Sequence, residues 1–229
     1  MIKVGFKHLL TVAFAGFLAG QATGAELRAV SVKQPAPEQI SSSIRALLSG
    51  QPVQLLDGDK PVMRLWLRRE VALKSKPDSI ATSLNALPET TLVGVISVQS
   101  PGFKDYKEND IPNGVFTARF ALQPQDGDHL GTAEFNTFLV LIAAELDKET
   151  NSFTKFTPMV KASGKLTPSG HPLIVSLRPA ASSEGNVPVL TQPVAEHKAI
   201  RLKLPGKSPA GDKADITFEL VYEGRGHIQ

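Results

Sequence analysis

Apolar and polar positions change their spacing several times along the chain, and each change marks an element. From Glu38 the apolar residues Ile40, Ile44, Leu47 and Leu48 recur at i, i+4, i+7 and i+8, which predicts a helix over 38–49, opened near Pro37 and stopped at Gly50. The period then drops to two. Val53 and Leu55, then Met63, Leu65 and Leu67, alternate with Gln54, Arg64 and Arg68, and the Asp57-Gly58-Asp59-Lys60 sequence between the two runs predicts a hairpin. Trp66 interrupts the polar face of the second strand. It reads either as a stacking residue on a binding surface or as a ring covered by a neighbouring loop, the commoner case for so large an aromatic.

Farther on, Ile80, Leu84 and Leu87 fall at helical spacing ahead of Pro88, predicting a short helix over 78–87, and the β-branched run 91–98 predicts a strand. Residues 100–114 are polar and turn-rich and read as a solvated connection. Val115 to Leu122 puts Phe116, Ala118, Phe120 and Leu122 on one face and Thr117 and Arg119 on the other. Phe138 to Ala144 is apolar without alternation, the pattern of a central strand buried on both faces or of a buried helix. Phe153, Phe156, Met159 and Val160 predict a helix over 151–162, and strand patterns return at 173–177, 187–190, 199–204 and 216–222. Eight or nine short strands with Pro and Gly between them predict a mainly β fold, an antiparallel β-sandwich of jelly-roll or Ig-like type with two or three peripheral helices. Residues 26–37, which hold Pro35 and Pro37, read as an extended N-terminal arm, and 38–229 as a single β-rich domain.

The first 25 residues change the picture. A positive start (Lys3, Lys7, His8), the apolar stretch Leu9 to Gly20 and the small-residue exit Thr23-Gly24-Ala25 have the three-part layout of a secretory signal peptide. The apolar stretch is shorter than the roughly 20 residues a membrane-spanning helix needs. Cleavage is expected after Ala25, with Ala22 as the alternative, giving a secreted or periplasmic protein that begins at Glu26 and carries no transmembrane segment. The chain has no cysteine, which excludes a lipoprotein anchor and leaves a mature domain held by its core rather than by disulfides. Lys and Arg number 25 against 22 Asp and Glu; setting aside Lys3 and Lys7 leaves 23 against 22. Charge this balanced argues against a nucleic-acid partner, whose affinity rests on clustered cations.

Candidate chemistry is concentrated in Gln123-Pro124-Gln125-Asp126-Gly127-Asp128-His129-Leu130-Gly131-Thr132. Asp126 and Asp128 begin an oxygen site for a divalent metal but lack the further acidic positions of a calcium loop. His129 with a distant His171 or His197 would suit zinc or copper, although no His-x-His or His-x-x-x-His spacing occurs among the five histidines. The alternative is a tight turn whose carboxylates bond backbone amides, as Asp57-Gly58-Asp59 also suggests. His129 and His171 each stand at a strand end beside glycine. If their loops meet, the two imidazoles with Asp126 or Asp128 form a metal site; otherwise they are ordinary loop residues. No cysteine nucleophile, Gly-x-Ser-x-Gly elbow, His-Glu-x-x-His or dinucleotide fingerprint is present, and Arg201 spoils the phosphate-loop reading of Gly206-Lys207-Ser208.

The run Gly114-Val115-Phe116-Thr117-Ala118-Arg119-Phe120, followed by Gln123-Pro124 and Asp126-Gly127-Asp128-His129-Leu130-Gly131-Thr132, resembles the core of a family of uncharacterised secreted bacterial proteins. The likeness extends from Leu65-Trp66-Leu67-Arg68 through Gly170-His171-Pro172 to Tyr222-Glu223-Gly224. It implies one exported unit and brings no activity, cofactor or fold. The sequence therefore points to a non-catalytic binding or structural module of the cell envelope, with a protein or carbohydrate partner and no cofactor. The rival is a hydrolase or metal-binding protein that uses the 123–132 loop and a divalent ion held by Asp126, Asp128, His129 and His171.

Overall fold

The Asp57–Lys60 turn forms as its residues dictate. In the computed structural model, which describes residues 27–127, 129 and 133–224, strands β2 (Val53–Asp57) and β3 (Lys60–Leu67) pair antiparallel, with Asp57 opposite Lys60. Only Gly58 and Asp59 lie between them, and Gly58 takes φ 58°, the conformation a two-residue turn demands of its first position. Strand β1 (Leu27–Ser31) lies along β2, and Arg28 donates from Nε to the Gly58 carbonyl (3.2 Å) and from Nη2 to Asp59 Oδ1 (2.7 Å). The first part of the expected arm is thus the edge strand of the sheet. The expected signal peptide, residues 1–25, lies outside the described residues, as does Asp128.

The chain continues through β4 (Val71–Ala72), a 3-10 turn (Ser83–Ala86), β5 (Leu92–Val98), β6 (Gly114–Leu122), β7 (Thr137–Ala143), helix α2 (Phe156–Gly164), β8 (Leu173–Pro179), β9 (Val189–Val194), β10 (His197–Lys207) and β11 (Lys213–Glu223). The fold is mainly antiparallel β, as expected. Strands follow one hydrogen-bonded path, β1-β2-β3-β5-β6-β7-β8-β11-β10-β4, with β9 also on β10. The path turns a corner within β8: Leu173 to Ser176 pair with β7, and Leu177 to Pro179 pair with β11. One strand is thereby shared by two sheets whose inner faces meet in a common core of Leu65, Ile96, Phe120, Leu139, Leu202 and Phe218, among others.

The outer face of the larger sheet is covered too. Ile40, Ile44 and Leu48 pack over Trp66, Leu92 and Val95, while Met159 of α2 packs over Ala121, Val140 and Ile142. Burial on both faces explains why β5 and β7 are mostly apolar without alternation, every residue in them being buried, and makes residues 137–143 a strand rather than a helix. Trp66 is 1% exposed, and its indole N–H donates to the Gln34 carbonyl at 3.1 Å, so the arm is what covers the ring.

Two expected helices are shorter than their periodicity. In place of 38–49 stands a single turn, α1 (Ser42–Arg45), capped by the Ser41 hydroxyl. Leu47 and Leu48 bond back to i−3 carbonyls, and the backbone of 47–49 then bonds to Leu67 and Arg69, so pairing with β3 ends the helix. The 78–87 helix reduces to the 3-10 turn at Ser83–Ala86. In both, most of the spaced apolar residues are buried, Ile40, Ile44, Leu48, Leu84 and Leu87, whereas Leu47 and Ile80 are only partly so. The helix expected over 151–162 lies at Phe156–Gly164. No helix among the described residues is long and apolar enough to cross a membrane.

Strand β10 has one bare stretch. It pairs with β9 through Arg201 and with β4 from Gly206, leaving residues 202–205 without a strand partner on that side among the described residues. Pro205, which has no N–H to offer, occupies this gap.

Candidate functional site

The residues singled out in the 123–132 loop form a local pair. The His129 backbone N–H reaches the Asp126 carbonyl (3.2 Å), and its Nδ1–H donates to Asp126 Oδ1 (2.5 Å), with Asp126 largely exposed. This is the capped turn of the alternative reading. His171 precedes β8; its Nδ1–H donates to the Pro172 carbonyl (2.8 Å), which in the neutral ring puts the lone pair on Nε2. By register the two loops leave the sheet at opposite ends, since β6 meets β7 at Leu122 and Thr137 whereas Leu173 of β8 stands opposite Leu141. Nonetheless His129 comes close enough for its charge to weigh on His171. Burial chiefly holds the His171 pKa below its ordinary value; the Pro172 carbonyl opposes that, Lys107 and His129 add to it, and Asp105 opposes it. Among the described residues, no group of three or more His, Cys, Asp or Glu side chains is placed to hold a metal ion.

Three clusters that sequence spacing did not mark are each anchored by a charged residue more deeply buried than Asp126 and His129. Arg119 of β6 and Asp147 are both fully buried and joined through Nε (2.7 Å) and Nη2 (3.0 Å). The remaining Arg119 donors reach the carbonyls of Thr90, Asn151 and Glu149, and the guanidinium lies 4.4 Å from the Phe153 ring centroid. All five guanidinium N–H donors therefore have acceptors, and Thr117 Oγ1 donates to the same carboxylate. Both Thr117 and Arg119 belong to the Gly114–Phe120 run described above. The second cluster is Arg178 of β8, which grips Glu134 with both terminal nitrogens (2.5 and 3.1 Å), lies over Phe135, and donates to His197 Nδ1 (3.3 Å). In the third, Asp105 caps its own loop, accepting from the backbone of Lys107 and Asn109 and reaching the Ile174 N–H of β8.

Among the described residues, clefts open at the margins of the sheets. One, of about 310 Å³, lies between the bare stretch of β10 and residues at the ends of β1, β2 and β3, with Arg68, Arg69 and Lys203 among its lining. These cations are engaged elsewhere: Arg69 bonds the Ala46 carbonyl, Lys203 pairs with Asp215 at 3.9 Å, and Arg68 reaches the Thr150 carbonyl. Burial, and then the Arg119 charge, lower the Arg68 pKa. Another cleft, of about 360 Å³, lies between the 102–108 loop, Glu196 and the end of β11, where Tyr222, Glu223 and Gly224 line it.

Comparison of the chain with protein-family models, curated proteins and solved structures found no match. The functional reading therefore rests on the site itself.

Proposed function

We propose that this chain is an exported, non-catalytic binding module of the cell envelope. The observation that carries the reading is where the buried ionisable side chains spend their bonds. Asp105, Arg119, Asp147 and Glu219 are each at most 3% exposed, and all bond to protein groups of the scaffold. A catalytic acid, base or nucleophile needs a group directed at a reacting atom in a cleft. Here the deep charges hold loops and strands to one another, and the cleft at the end of β11 carries carboxylates in its lining. That arrangement suits reversible recognition.

Co-sedimentation of the purified mature protein with envelope fractions of its host, assayed alongside a panel of ester, glycoside and peptide substrates, tests the reading. Saturable binding without turnover is expected. Turnover abolished by Asp126→Ala or His171→Ala would overturn it.

A second reading, metal-assisted chemistry at the 123–132 loop, draws on the His171 ring, whose Nδ1–H bond to a carbonyl is the arrangement metal-bound histidines use. Calorimetric titration with zinc and copper separates the two. The binding-module reading expects negligible heats, whereas tight one-to-one binding lost in both His129→Ala and His171→Ala would favour the metal.

A further inference from the structure

Lysine faces lysine where β10 turns into β11. Lys207 and Lys213 close the antiparallel ladder as a directly opposite pair, and both are exposed. Opposite residues of such a pair stand on the same side of the sheet, where like charges repel and cost stability. That side is the outer one, since the preceding Gly206 is buried and a Cβ on it would press into Leu73. Strand β4 brings a third lysine. Ala72 stands beside Lys207 in the parallel pairing, the Leu73 N–H donates to the Lys207 carbonyl (2.9 Å), and buried and exposed residues alternate over 71–74, which leaves Lys74 on the side of Ala72. Lys76 is exposed two residues farther on.

Other lysines have acids: Lys104 pairs with Asp110, Lys198 with Glu223 and Lys203 with Asp215. Lys74, Lys76, Lys207 and Lys213 enter no ion pair among the described residues. The acids of this margin are occupied or set back. Asp212 is spent on the hairpin turn, where Ser208 Oγ donates to its Oδ2 (3.3 Å) and its own N–H donates to Ser208 Oγ (3.1 Å). Asp215 serves Lys203, and the exposed Glu70 and Asp78 lie four residues before Lys74 and two after Lys76. The turn is also held by the Gly211 N–H, which donates to the Ser208 carbonyl (2.9 Å), so the backbone keeps the two repelling lysines opposite each other.

We propose that this hairpin end is the docking face of the binding module and that its partner is an anionic phospholipid surface, a reading that rests on the module proposed above. An anion shared by the lysines removes the cost of placing them together. Beyond the leader the chain has 23 basic against 22 acidic residues, so its net charge gives a negative surface almost nothing to attract and a local group must do so. None of the four lysines lines the clefts described above. They stand on a protruding edge, which suits an extended sheet of phosphates rather than one enclosed anion. Ammonium groups treat phosphate as a point charge and ask for no fixed geometry from it. The turn between them, Ser208-Pro209-Ala210-Gly211, has no ring on which a base could stack, which sets lipid ahead of single-stranded nucleic acid.

The purified mature protein is sedimented with vesicles of phosphatidylcholine and with vesicles of equal parts phosphatidylcholine and phosphatidylglycerol, at about 0.05 and 0.5 M salt. Binding to the anionic vesicles alone is expected, and it should weaken as salt is raised. Each lysine within reach of anionic headgroups contributes about fivefold, so the joint change Lys207→Gln and Lys213→Gln should weaken binding about 25-fold. The same variant should unfold at a slightly higher urea concentration than the parent, because the repulsion is gone, which also shows that it folds. Lys155→Gln with Lys161→Gln removes as much charge from exposed positions around α2 and should bind as the parent does. The proposal falls if both vesicle types or neither carry the protein down, if the hairpin variant binds as the parent does, or if the α2 variant loses as much as the hairpin variant. A thymidine oligonucleotide bound in place of the vesicles would overturn it in favour of nucleic acid. Envelope co-sedimentation by a protein that ignores anionic vesicles removes the lipid face and keeps the module, while loss of both removes both.

Discussion

Arg119 shows how much a single side chain can organise. On the alternating pattern of β6 it belongs to the polar face and should meet water, yet it is fully buried. The segment that covers it, Asp147 to Phe153, brings a carboxylate, two carbonyls and a ring, so that the charge is compensated at every donor. Nothing in the spacing of Asp147, Lys148 and Glu149 announces this, because the contact depends on tertiary placement of a polar stretch. Removing one partner strands the other: Arg119→Met should cost about 3–5 kcal/mol in urea denaturation, with part regained on adding Asp147→Asn. His171 gives a pH signature. Its folded pKa lies below the unfolded value of about 6.5, so the unfolded chain takes up the proton first. Stability is therefore intact above that value and falls as the pH drops through it, flattening once the folded ring is protonated. The fall in melting temperature between about pH 7.5 and 5.5 should be smaller in His171→Gln.

At the level of elements, period-two patterning located the β2–β3 hairpin, β6 and β11, because each has one face on the common core. Helical patterning found the buried residues of 38–49 and 78–87 but not their backbone, since a turn can present Ile40, Ile44 and Leu48 as well as a helix does. The two-residue β4 escaped notice for a different reason: its only justification is the distant partner Gly206–Lys207. Gly94 looks out of place in a β-branched strand until its neighbour is considered. A Cβ there would stand 2.3 Å from the Trp66 carbonyl oxygen, a backbone atom of the adjacent strand that cannot swing aside. Gly94→Ala should therefore cost about 1–3 kcal/mol in chemical denaturation although alanine suits a strand better than glycine does. An unchanged midpoint would show that β3 and β5 can separate locally.

For the molecule as a whole, class and strand content were legible in the sequence because eleven short strands leave a periodic trace wherever one face is dry. The candidate site was legible only as a dense loop. Asp126 and His129 are neighbours in sequence and pair, but two of the three charges that act on His171 come from Lys107 and Asp105, placed by a loop bonded to β8, and only the third from His129. The bare stretch of β10 has a consequence for how copies of the protein meet. An unpaired strand margin is a template on which a second chain can add a strand and begin a filament. Here the margin spans only 202–205, Lys203 places a charge on it, and Pro205 withholds an N–H, so a ladder started there cannot propagate. Concentrated Pro205→Thr protein, incubated at a temperature where both proteins stay folded, should gain thioflavin fluorescence and light scattering ahead of the parent; equal lag times would mean the proline guards nothing.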